Sequence, residues 1–210
     1  MNTKFFKYAG IAASVLLIVF GIGMIGIGSS AQSTVNDNLA QEHITGTPDM
    51  TPAGIAAAVK ESKLTGLTLP TCSVANKPVN DGASAKCFAS YMRIHALEAT
   101  GGRTFSQMGQ YLTAQGKETS DRTQAGTDPK TGQPIPNAAR NVWVTETALG
   151  TALNTSYFAS SVGTFAIIVG IALLLIGIGL LVLTVRWIRE PKPAASAQPK
   201  AAGPIAPVPA

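Results

Sequence analysis

The sequence predicts a mainly α fold: a two-helix transmembrane hairpin carrying a small α-helical extracytoplasmic domain. Three observations predict it. The first is residues 162–185, VGTFAIIVGIALLLIGIGLLVLTV, inside a stretch that carries no charge between Glu146 and Arg186. At 1.5 Å per residue this run makes a helix of roughly 36 Å, enough to cross a ~30 Å hydrocarbon layer with some tilt. The second is residues 8–28, YAGIAASVLLIVFGIGMIGIG, which reach roughly 32 Å as a helix. The third is where the charge lies. The chain carries a formal +5, yet between Ser29 and Ser160 ten acids face ten bases. The excess comes from Lys4 and Lys7 before the first run, and from Arg186, Arg189, Lys192 and Lys200 against Glu190 after the second. Short basic flanks are retained in the cytoplasm, whereas long segments translocate largely regardless of charge. Both ends therefore point inward, with residues 29–160 outside. The basic balance is a topology signal and excludes a nucleic-acid partner.

Residues 1–7 read as a short basic cytoplasmic leader. Residues 8–28 have two readings, a cleaved signal peptide with Ser29-Ser30-Ala31 as the cleavage region or a retained signal anchor. Signal-peptide cores run about 7–15 residues, and the greater length here favours the anchor. Small residues recur every seven positions in both runs, as Ser14, Gly21 and Gly28 and as Gly163, Gly170 and Gly177. In an antiparallel pair Ser14 falls opposite Gly177, Gly21 opposite Gly170 and Gly28 opposite Gly163. Small residues admit the close backbone approach that holds helices together in lipid, although glycine is also simply common in membrane helices. Neither run holds an ionisable residue, which argues against an ion path or proton relay.

After the first run, Val35, Leu39 and His43 recur at intervals of four, so the helix is expected to continue before breaking at Gly46 and Pro48. Thr51-Pro52 reads as an N-cap with proline at the first helical position. It opens a helix over 53–64 with Ile55, Val59 and Leu64 on one face. Residues 67–79 form a loop containing Cys72. Ser84 is expected to cap a helix over 85–100 with an inward stripe of Cys87, Phe88, Tyr91, Ile94 and His95, closed by Gly101-Gly102. Thr104 and Gln107 match a capping box for a shorter helix through Leu112. Residues 114–137 are polar and aperiodic and read as a long exposed loop. From Ala138 or Arg140 a stripe of Val142, Thr145, Leu149 and Leu153 predicts a helix that runs on into residues 162–185. Tyr157 and Phe158 would mark the outer interface, and Trp187 the inner one. Residues 186–210 begin with a basic stop, and the Pro/Ala-rich part after Glu190 is expected to be disordered.

Cys72 and Cys87 are the only cysteines. An even pair in an oxidising compartment favours a structural disulfide over a redox or metal pair. His43 and His95 are the only histidines. With Glu42 or Glu98 they offer a 2-His-1-carboxylate metal site, but their separation favours a hydrogen-bonded packing role, with His95 and Glu98 at helical i, i+3. Arg93, Glu98 and Arg103 read as a surface charge cluster, and Asn154-Thr155-Ser156 as a chance sequon beside the membrane. No activated-serine, phosphate-loop or dinucleotide motif occurs, and no cofactor is implied.

The segments YMRIHALEATGG (residues 91–102) and NVWVTETALGTALNTSYFA (residues 141–159), with the two flanking runs, resemble a family of uncharacterised two-pass membrane proteins of actinobacteria. The resemblance implies topology and no activity. The expected function is that of a non-enzymatic envelope protein in the cell membrane, with both termini cytoplasmic and the central domain binding a protein or envelope partner. The alternatives are a membrane-tethered enzyme or metalloprotein using His43 or His95, and an accessory subunit packing Gly21 and Gly170 against partner helices.

Overall fold

Two long helices make the frame of the molecule. In the computed structural model, which describes residues 3–189, α1 (Thr3–Gln41) and α4 (Ala139–Arg189) are both unbroken. They extend for about 59 and 77 Å at 1.5 Å per residue. Between them lie α2 (Pro52–Glu61), α3 (Gly82–Ala99) and a short antiparallel pair, β1 (Tyr111–Leu112) and β2 (Glu118–Thr119). The fold is thus mainly α, with two helices long and apolar enough to cross a membrane and a small, largely helical region between them. The predicted disorder of the Pro/Ala-rich tail falls on residues 190–210, outside those described.

The helices pack along small residues. Ser14, Gly21, Gly28, Gly163, Gly170 and Gly177 are all buried. A Cβ added at Gly28 would stand 2.5 Å from the Gly163 carbonyl oxygen, and one at Gly21 2.8 Å from that of Gly170. Backbone therefore meets backbone at these depths. Ile18 fills the space at Gly177, Ile25 that at Gly170 and Ile167 that at Gly28, while Gly21 meets the backbone of Leu174. Spacing by seven keeps the seam on one face, because seven residues are close to two turns. Ser14 satisfies its hydroxyl within its own helix by donating to the Gly10 carbonyl at 2.7 Å. Gly10 in turn faces the buried Thr184, which carries the seam one step further. Gly21 and Gly170 are occupied by this intrachain packing and are not free for the partner helices considered above. The opposite faces are bare hydrocarbon: Phe20 is 63% exposed, Phe165 65% and Leu183 66%.

Both helices continue beyond their apolar runs into the domain. Val35 and Leu39 on α1 and Leu153 on α4 enter its core with Ile55, Val74, Val79, Tyr91 and Ile94. Thr51 caps α2 by accepting from the Gly54 N–H at 3.0 Å. The cap of α3 differs from expectation. Asp81 is the N-cap and Ser84 the third residue of a reciprocal capping box, since the carboxylate reaches the Ser84 N–H at 2.7 Å and Ser84 accepts from the Asp81 N–H. Gly101 and Gly102, both at positive φ, end the helix.

Between Thr104 and Asn137 one expectation fails, and the long exposed loop is ordered by backbone bridges. The capping box of Thr104 and Gln107 forms, but the helix is one 3-10 turn (Phe105–Gln107), because Tyr111 and Leu112 pair with Thr119 and Glu118 instead. The loop is folded back on itself, with further bridges from Tyr111 to Pro136 and from Thr127 to Pro134. Its polar side chains serve turns: Asp121 accepts from the Thr123 N–H and Asp128 from the Lys130 N–H. Such order is invisible to apolar periodicity.

Replacing Gly28 by alanine is expected to lower stability by about 1–3 kcal/mol, the usual cost of overpacking. Gly23→Ala, where no atom lies within 4 Å, is expected to be neutral or to raise it by about 0.5–1 kcal/mol. Thermal unfolding in detergent, read from Trp143 fluorescence, checks the contrast. Equal effects at the two sites would contradict the seam.

Candidate functional site

The face built from α3 and the first half of α4 carries His95, Glu98, Arg93 and Glu146. α3 is fixed there by three devices. Gly82, its first residue, lies so close to α4 that a Cβ would come 2.6 Å from the Ser160 Cβ. The Cys72–Cys87 disulfide, spanning Cα atoms 6.1 Å apart, ties the helix to the preceding loop. The wholly buried Tyr91 donates its hydroxyl to the Cys72 carbonyl at 2.7 Å. Burial pushes the Tyr91 phenol above its ordinary pKa, so it stays protonated and remains a donor.

One turn further on, His95 stands between two carboxylates. Its Nδ1 is 2.8 Å from Glu98 Oε2, and its Nε2 is 3.2 Å from Asp49 Oδ2 without the alignment of a hydrogen bond. The Ser62 hydroxyl donates to the other Glu98 oxygen at 3.3 Å rather than to the imidazole. His43 is elsewhere, exposed at the end of α1 with a left-handed φ of 50°. The structure does not bring the two histidines together, and among the described residues no three His, Cys, Asp or Glu side chains assemble as a metal site.

The predicted cluster of Arg93, Glu98 and Arg103 is not formed. Arg93 lies over the Trp143 ring, 5.4 Å from its centre, while Glu98 engages His95. Arg103 pairs with Glu118 on β2 through two hydrogen bonds, one of 3.0 Å. That guanidinium holds the Glu118 carboxyl below its usual pKa, helped by the Gly109 N–H. The pair joins the end of α3 to the hairpin.

On α4 the inward face is Trp143, Glu146, Gly150 and Leu153, one residue round from the predicted stripe. The Trp143 ring is buried, and its Nε1 donates to the Arg103 carbonyl at 2.9 Å, in reach also of Thr100 Oγ1. Val142 and Leu149 become half-buried flanks, and Thr145 is exposed. The residue missed by sequence reasoning is Glu146, which is only 9% exposed. Its position four after Val142 and three before Leu149 places it within an otherwise apolar stripe, the one signal that marks it. Open grooves of about 490 and 290 Å³ lie on its two sides. Met92, His95, Ala96, Asn141 and Val142 contribute to the larger, and Arg93, Thr151 and Asn154 to the smaller.

Nearer the apolar segments, Lys86 Nζ sits 4.3 Å above the Tyr157 ring, and at the far end Lys7 Nζ is 5.9 Å from that of Trp187. Asn154 turns its side chain to the Gly150 carbonyl within its own helix.

The chain matches no protein-family model, no curated protein and no solved structure.

Joint replacement of Cys72 and Cys87 by serine is expected to cost about 3 kcal/mol, the chain-entropy value for a loop of this size. Tyr91→Phe, which removes the hydrogen bond from the buried Tyr91 hydroxyl to the Cys72 carbonyl, is expected to cost about 0.5–1.5 kcal/mol with the disulfide intact. Denaturant unfolding of the oxidised and reduced proteins measures both. An unchanged midpoint for the double variant would contradict the clamp on α3.

Proposed function

We propose that this chain is a two-pass membrane protein that holds its central domain rigidly on the extracytoplasmic face, where the domain binds a protein or envelope partner without itself being a catalyst. The observation that carries the reading is the continuity of α1 and α4, which pass unbroken from their apolar segments into the domain core. A flexibly tethered domain would need no such continuity, whereas a surface presented at a set height and orientation does.

The spacing of anchors supports the membrane assignment. Tyr157 and Trp187 are 30 positions apart on one helix, or about 45 Å, which matches a bilayer of about 40–45 Å including its headgroup regions. The bare aliphatic faces between them call for an apolar solvent. Lys7, Arg186 and Arg189 fall at one pole, and the disulfide-bearing domain falls at the other. That arrangement accords with basic ends held in the cytoplasm and a domain in an oxidising space. On this reading the first run is a retained anchor, because its glycines are half of the seam. The resemblance carried by residues 91–102 and 141–159 implies the same topology.

A cysteine at the exposed hairpin position Thr131 is expected to react with a membrane-impermeant maleimide in intact cells. One placed at Ile188 should react only after permeabilisation. Amine-directed crosslinking of the same cells should join a neighbour through peptides of the central domain. The opposite labelling pattern would overturn the orientation, and crosslinks confined to the chain itself would overturn the binding role.

A further inference from the structure

Glu146, a residue only 9% exposed, lines the open grooves between α3 and α4, and among the described residues no cation pairs with its carboxylate. Its one hydrogen bond is a long one, 3.4 Å, from the hydroxyl of the adjacent Thr147. The nearby Arg93 lies over the Trp143 ring, and among the described residues Glu146 forms no ion pair. Gly150 keeps one side of the carboxylate clear, since even a Cβ there would stand 3.6 Å from Oε1. A carboxylate with no internal cation at the edge of an apolar groove is free to take a charge-assisted hydrogen bond from a cationic group.

The surroundings define what would pair it. The larger groove beside Glu146 is walled mainly by Met92, Ala96, Ala138 and Val142, an apolar channel ending on a negative charge. His95 also lines this groove, but among the described residues no three His, Cys, Asp or Glu side chains are placed to hold a metal. A lipid headgroup is too far away, because Glu146 stands 11 positions beyond Tyr157 on the same helix, about 16 Å. A lysine or arginine side chain suits both parts of the site, with its methylene stem along the apolar wall and its charged head on the carboxylate. We infer that the cleft between α3 and α4 receives one basic side chain of an extracytoplasmic protein partner, with Glu146 as its counter-charge. The inference rests on the partner-binding reading above and specifies the chemistry of that partner.

The test uses the full-length protein in lipid nanodiscs, labelled with ¹³C at the methionine methyl groups. The probes are acetyl-Ala-Arg-Ala-amide and its uncharged isostere acetyl-Ala-citrulline-Ala-amide. The arginine peptide is expected to shift the Met92 methyl resonance saturably, leaving those of the buried Met50 and Met108 in place, and to bind about tenfold or more tightly than the citrulline peptide. Glu146→Gln is expected to abolish that preference. The Met50 and Met108 resonances report whether the variant is folded, and the citrulline comparison stands on the unaltered protein. Equal affinity for the two peptides, no saturable shift at millimolar arginine peptide, or a preference that survives in folded Glu146→Gln would each overturn the inference. If cellular crosslinking finds a neighbour while the cleft ignores arginine, the inference fails and the binding role stands. If the cleft prefers arginine while crosslinking finds no neighbour, the binding role fails and the chemistry of the cleft stands.

Discussion

The close approach of α1 and α4 at Gly21–Gly170 and Gly28–Gly163 is the constraint on which the remaining structure depends. In the proposed membrane setting, hydrocarbon offers helices no hydrophobic reason to associate, so packing contacts would hold them. Here the glycines meet each other's backbone, and Ile18, Ile25 and Ile167 fill the space beside Gly177, Gly170 and Gly28. A side chain at these glycines would separate the rods. Because the seam repeats every seven residues, it also fixes their rotation, and that rotation decides which residues of α1 and α4 face inward where the domain begins.

Everything above the seam inherits that geometry. Val35, one heptad beyond Gly28, is buried, and Leu39 lies four residues further along the same face. On α4 the inward residues become Leu153, Gly150, Glu146 and Trp143. α3 packs across this pair of rods through Gly82 near Ser160 at its start and Ala96 and Leu97 near Trp143 at its end. The disulfide and the Tyr91 hydroxyl then fasten the 67–79 loop to α3, and the Arg103–Glu118 pair fastens the hairpin. The domain core is small, and cross-links of this kind supply what limited apolar burial does not.

What was legible in the sequence is what simple repeats and single residues encode. The two apolar runs are long, uncharged and flanked by bases. The seven-residue spacing names two pairs that meet, Gly21–Gly170 and Gly28–Gly163, while Gly177 meets Ile18 and Leu17 rather than Ser14; two cysteines leave one pairing. Thr51-Pro52 and Gly101-Gly102 mark helix ends through backbone chemistry that needs no tertiary context. The misreadings arise where tertiary contacts decide. Asp81 and Ser84 are both competent caps, and only the reciprocal box ranks them. Val142 and Trp143 are both apolar neighbours, and the inward one is Trp143, whose indole donates to the Arg103 carbonyl. Residues 114–137 are ordered by backbone bridges and Asx turns that leave no hydrophobic pattern. Glu146 was visible as an acid within an apolar stripe, but its burial follows from the face that α4 turns inward with Trp143, Gly150 and Leu153.

The account stands on the claim that span and domain form one rigid body. Amide hydrogen exchange of the full-length protein in nanodiscs, resolved across residues 26–41 and 146–162, tests it most directly. Protection that continues without a break from the apolar segments into the domain is the predicted result. Rapid exchange confined to the junctions, beside slow exchange on both sides, would reveal hinges and contradict it.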